Sequence, residues 1–218
     1  MTAARQIESA LSQDPANPAN LPRMAAVQHQ SEGARQILEA AARLFAKKGY
    51  EATSTREIVE AAGVTKPMLY YYFGSKEGLC KAALASFADG FFEHLREAAE
   101  RPLPPREALV EFVWAHFDQF REHVDIARLY FSLYFGSERH TFAGHIEQLS
   151  RKGDEIGRDF VARIAASGLL RGGCEEDFFM ALHGMIEAWH MRSMTEDAEL
   201  SRDLAERIVE GLLHGYAA

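Results

Sequence analysis

The sequence holds two cysteines in 218 residues, Cys80 and Cys174, and neither lies in a CxxC pair. That excludes a disulfide framework and suits a reducing compartment. Long hydrophobic runs are missing too: no stretch approaches the ~18 uninterrupted apolar residues of a membrane span. Residues 1–13 are too polar for the apolar heart of a signal peptide. The expectation is a cytoplasmic protein with no membrane partner. Strand signals are absent as well, since no run of β-branched residues alternates with polar ones between turns. Nor is there a glycine-rich phosphate loop, because Gly153 and Gly157 sit in a charged helical run and Gly172-Gly173 reads as a turn. Neither a Ser-His-Asp or Cys-His spacing nor an HExxH helix can be found. An enzyme, a cofactor and a metal centre are therefore not expected.

What is present is ordinary globular composition, 47% hydrophobic and 26% charged. Lys and Arg number 24 against 32 Asp and Glu, a net charge of −8 that as a whole counts against a nucleic-acid binder. The regions differ, however. Residues 23–85 carry nine basic and six acidic groups, whereas residues 86–218 carry fourteen and twenty-four. The acidity belongs to the second part of the chain, and the first part is mildly basic.

Residues 1–30 read as a flexible tail broken by Pro15, Pro18 and Pro22. From Ser31 the apolar spacing is helical almost throughout, so the fold class is all-α. The first helix spans about 31–48, with Ile37, Leu38, Ala41, Leu44 and Phe45 on one stripe and Gly49 as its cap. Ser54 and Glu57 form a capping-box pair at the head of a short second helix that Gly63 ends. Thr65 is expected to cap a third, with Pro67 in its first turn, and Ser75 a longer fourth that stops before Pro102. Five further helices are expected near 105–121, 123–135, 140–168, 175–194 and 198–215, about nine in all. The one at 123–135 is apolar nearly all round, as an enclosed helix is.

Two short helices meeting at Gly63 are a helix-turn-helix, whose second helix is presented outward. Leu69 and Phe73 can anchor it. Tyr70, Tyr71 and Tyr72 cannot all face inward at 3.6 residues per turn, and their phenols can bond phosphate oxygens. The run T-K-x-x-L-Y-Y-x-F-x-S-K-E-x-L over Thr65–Leu79, after ILEAAARLFAKKGYEATSTREIVEAAGV, resembles the TetR (tetracycline-repressor-like) family of bacterial transcription regulators. The resemblance covers Ala34 to Ala85. It implies a three-helix DNA-binding domain at 31–85, joined through helix four to a helical ligand-binding and dimerisation domain at 86–218.

Carried over residue by residue, the resemblance puts Ser54, Thr55 and Arg56 at the DNA backbone. Thr65, Lys66, Pro67, Met68 and Tyr71 fall at the exposed front of the recognition helix, while Tyr70, Tyr72 and Lys76 hold phosphates. Tyr72 stands where many members carry histidine, which replaces a charge-assisted contact with a neutral one. The implied function is a homodimeric regulator, a repressor in the leading reading, that binds a pseudo-palindromic double-stranded operator and is released by a small-molecule effector. A ligand-dependent activator and a helical small-molecule or lipid-binding module without a DNA role stay open as alternatives.

In the second part, Trp114, His116, Phe117, Phe120, Tyr130, Tyr134, Met185 and Trp189 are candidate ligand-cavity residues, aromatic with a few polar groups. Phe179, Ile186, His190, Leu204, Ile208 and Leu212 are candidates for a dimer interface, since the last two helices are apolar on more than one side. His183, Glu187 and His190 share a helix face, a spacing more often met in an interface than in a metal site.

Overall fold

A computed structural model describes residues 21–136 and 139–217, with side chains from residue 32 onward. Among the described residues the chain is a succession of nine helices: α1 (Leu21–Lys48), α2 (Thr55–Ala62), α3 (Lys66–Phe73), α4 (Lys76–Glu100), α5 (Pro105–Glu122), α6 (Val124–Phe135), α7 (Arg139–Ala166), α8 (Glu175–Thr195) and α9 (Arg202–Tyr216). The one extended pairing among them is an isolated bridge between Leu170 and Ala217.

The all-α expectation holds, and most boundaries fall within two residues of those read from the spacing. Two starts differ. The first helix begins at Leu21, not near Ser31, because Pro22 falls in its first turn, where no helical N–H is required. The remainder of the expected tail, residues 1–20, lies outside the described residues. The last helix begins at Arg202 because the Ser201 side chain accepts from the Leu204 amide and caps it there.

Two apolar cores hold the helices. One gathers Ile37, Phe45, Ile58, Leu69, Leu79 and Leu84 from α1–α4 and continues into α6 and α7 through Ile126, Leu129, Leu133 and Phe142. The other fills the space between the end of α4 and helices α5, α7, α8 and α9. Packing thus continues across residue 85. Helix α6 is not the enclosed element its composition suggests: Ile126, Ala127, Leu129 and Leu133 are buried, but Tyr134 and Phe135 are exposed. It buries one face against α1 and turns the other toward a cavity.

The far end of α4 is fastened. Glu111 on α5, a buried carboxylate, accepts from Arg101 just past α4 and from Arg202 on α9, the latter at 2.9 Å. Both oxygens of a desolvated charge are thereby satisfied. Arg163 of α7 also donates to the Ala99 carbonyl.

Helices α7 and α8 approach closely at Gly157, where an added Cβ would stand 2.6 Å from the Phe179 ring. Both residues are buried, so the ring has little room to yield. Gly157→Ala is expected to destabilise the fold by about 1–3 kcal/mol, as read by urea denaturation. An unchanged midpoint would show that the ring shifts freely.

Candidate functional site

Local chemistry sets the helix-turn-helix. The Ser54 hydroxyl accepts from the Glu57 amide at 3.2 Å while the Glu57 carboxylate accepts from the Ser54 amide at 2.9 Å, completing the capping box. Lys48 reaches the same carboxylate from α1. That lysine, then the Ser54 bonds, hold the Glu57 carboxyl well below its usual range, at about 2. Gly63 turns the chain with φ +66°, a left-handed conformation that any side chain would strain. Thr65 has the extended backbone of a cap, but its side chain makes no capping hydrogen bond, contrary to expectation. Its hydroxyl is left exposed.

On α3, Leu69 is buried and Met68, Tyr72 and Phe73 pack half-buried on the first core. Thr65, Lys66, Pro67, Tyr70 and Tyr71 face solvent, with Tyr71 75% exposed. Lys66 extends along the Tyr70 ring, 5.8 Å from its centroid. Met68 is turned the other way: its methyl end lies against Gly33 of α1, 2.7 Å from where a Cβ would stand. Burial, then the neighbouring Tyr71, pushes the Tyr72 phenol up, so it keeps its donor proton. Arg56 is exposed and pairs with Glu60 at 2.8 Å, and Thr55 opens α2 half-buried. Lys76 donates to the Glu51 carbonyl at 3.3 Å and lies 4.3 Å from the Tyr50 ring centroid. It braces the loop before α2 as well as facing outward.

The second feature is a cavity of about 420 Å³ among α4, α5, α6, α7 and α8. Of the residues named from sequence, His116, Phe120, Tyr130 and Tyr134 line it. Trp114, Met185 and Trp189 do not, and Phe117 is fully buried in the second core behind the wall. Sequence reasoning missed the phenylalanines of α4, the Phe87, Phe91 and Phe92 cluster; the polar face His183, Glu187 and His190, for which it favoured an interface, lines the cavity instead. His190 stacks on Phe120 with centroids 4.2 Å apart, its Nδ1 3.8 Å from the Glu187 carboxylate. Its Nε2 is buried without a hydrogen-bond partner. Tyr130 and Ser150 hydroxyls bond at 2.8 Å across the wall. Among the described residues no group of three His, Cys, Asp or Glu is arranged to hold a metal ion.

The interface candidates need correction. Phe179, Ile186, His190, Leu204 and Ile208 are all buried inside the chain, and Leu212 is half-buried on the second core. They cannot offer a free surface. The side of α8 that does face outward is a stripe of Met180, Gly184, Ala188 and Met191. Periodicity assigns residues to a face, but not which of two apolar faces points in.

His116 Nδ1 lies 2.9 Å from the Phe112 carbonyl. Burial pushes the imidazole down from 6.5 to about 3. A folded-state value below the unfolded one means the unfolded chain takes up the proton first. Stability is therefore expected to fall as the pH drops from 6.5 toward 3. Chemical denaturation across that window should show a flatter loss for His116→Gln, and an unchanged acid slope would place this imidazole in water.

Comparison with known proteins matches residues 37–83 to the family model "Bacterial regulatory proteins, tetR family". A TetR/AcrR-family transcriptional regulator from Thermobifida fusca is 30% identical, with a TM-score of 0.63 over 84% of this chain and 97% of that one. The uncharacterized regulator YerO of Bacillus subtilis is 26% identical over 178 residues, 81% of this chain and 61% of its own length. The repressor KstR2 of Mycobacterium tuberculosis (H37Rv) is 34% identical over 88 residues, 40% of this chain and 44% of its own. The chain thus spans about three fifths of one curated relative and under half of the other. With the helix-turn-helix and the full-length likeness to the Thermobifida structure, the chain belongs to the TetR family of bacterial regulatory proteins.

Proposed function

We propose that the chain is a homodimeric DNA-binding transcription regulator of the cytoplasm, a repressor, released from its operator by a small molecule in the α4–α8 cavity. The observation that carries this reading is the outward face of α3. It presents hydroxyls, an ammonium and an exposed tyrosine ring on a helix whose other side is locked into the core. Residues 31–85 form the DNA-reading unit and residues 86–218 the effector and dimer unit. Two copies would dock about one DNA turn apart on a pseudo-palindrome. The exposed stripe on α8, small residues and methionine, offers a second copy a close approach.

Within this reading, Lys66, Tyr70, Tyr72 and Lys76 engage phosphates, and Thr65, Pro67 and Tyr71 meet base edges and methyl groups. Ser54, Thr55 and Arg56 bring the head of α2 to the backbone. Met68 acts mainly through packing, so its effect on sequence choice is indirect. Effector and DNA are coupled through α6, since Tyr130 and Tyr134 line the cavity while Ile126, Leu129 and Leu133 lie in the core shared with α1. An effector acts only by preferring the arrangement that DNA does not.

Fluorescence anisotropy on a fragment from upstream of its own gene tests this. Lys66→Ala should weaken binding to any sequence and lower the salt slope by about one. Tyr71→Ala should cost about 1–3 kcal/mol and relax sequence preference. No retardation of that fragment at low salt by a dimeric sample would favour a ligand carrier without a DNA role. Reporter transcription that falls on deletion of the gene would make the protein an activator.

A further inference from the structure

The charge pattern of the cavity narrows what it accepts. Eight of its lining side chains are phenylalanine or tyrosine, yet among the described residues no Lys or Arg lines it. Among the described residues its acidic groups are Asp154 and Glu187. Asp154 is already answered by Arg158 at 3.3 Å. Glu187 has His190 Nδ1 at 3.8 Å and no Lys or Arg paired with it among the described residues. Burial raises the Glu187 carboxyl, but the Nδ1–H of His190, the first of the opposing causes, outweighs it and the group is held below its usual range. It is an ionised carboxylate in an aromatic chamber.

The second observation is the orphaned nitrogen. A carboxylate facing Nδ1 of His190 favours the proton on that nitrogen, which leaves Nε2 with a lone pair. That atom is buried and without a partner among the described residues, on a side chain of the cavity wall. An acceptor left unpaired in a desolvated site is costly, and a donor from a ligand relieves it. Glu187, beside this ring, thus asks for an N–H donor, preferably a charged one. Aromatic faces attract a cation too, and most strongly where water is excluded.

Resting on the effector reading above, we propose that the cavity takes a protonated amine carried on an apolar aromatic body, with its N–H groups held by Glu187, and that it rejects carboxylates. A carboxylate ligand would meet Glu187 with no lining Lys or Arg to neutralise it. The volume, about 420 Å³, lies at the lower end of the range for drug-sized ligands, so the body spans two or three rings.

Diphenylpropylamine, diphenylpropanol and diphenylpropanoate share one body and differ in headgroup charge. Calorimetric titration of the full-length, DNA-free protein should rank amine above alcohol by at least about tenfold, with the carboxylate weakest. Glu187→Gln should erase the amine's advantage and leave the alcohol nearly unchanged, whereas Glu187→Asp should keep the preference. If the Gln variant fails to fold by circular dichroism, the wild-type ranking and the Asp variant decide. A carboxylate that binds as tightly as the amine, an amine preference that survives Glu187→Gln, or no binding by any of the three overturns the proposal. Release of the operator fragment by the alcohol without an amine preference would overturn it too, while leaving the regulator reading intact.

Discussion

The seam between α6 and α1 is the constraint on which the architecture depends. Three α6 side chains, Ile126, Leu129 and Leu133, are buried with Ile37 and Phe45 in the core that also seats α2 and α3. Each such side chain is worth about 1.5–3 kcal/mol of burial. That joins the helix-turn-helix to the second part of the chain by an apolar contact wider than a linker could give. A helix committed on one face to this seam has only its opposite face for the cavity. The exposure of Tyr134 and Phe135 follows, since α6 has more apolar surface than one neighbour can cover.

The two functional surfaces solve opposite electrostatic problems. On the helix-turn-helix the charged and hydroxyl groups stand in water, where a single ion pair such as Arg56–Glu60 on α2 contributes little. In the cavity wall His190 is withdrawn from water, so its unmet hydrogen bond weighs more. His116 shows the extent of that withdrawal, because burial alone outweighs its bond to the Phe112 carbonyl.

The helix-turn-helix was legible in the sequence because its signals are local. Ser54 with Glu57, Gly63, and Ser75 before α4 each act within a few residues of their own position, and the structure uses all of them as such. Thr65 was the exception, since its backbone takes the cap conformation without the side-chain bond. The start of α1 was hidden by Pro22, a residue that breaks a helix interior and suits a first turn. In the second part, long-range packing decides. Helix α8 is apolar on several sides, so Phe179, Ile186 and His190 looked available to a partner when they face inward. The phenylalanines of α4 looked like plain core, and nothing within α4 tells that a space lies beside them.

The clamp on Glu111 has a geometric consequence. With Arg101 and Arg202 fixed to one buried carboxylate, the last turn of α4 is a fulcrum and the remaining length of the helix is a lever arm. Twenty-five residues make a rod of about 37 Å. A tilt of about 5° at the fixed end carries Lys76 and the tip beside α3 through about 3 Å, a large part of the spacing between neighbouring phosphates. Any tilt of α4 about this end would thus be smallest beside the clamp and largest where the helix meets α3.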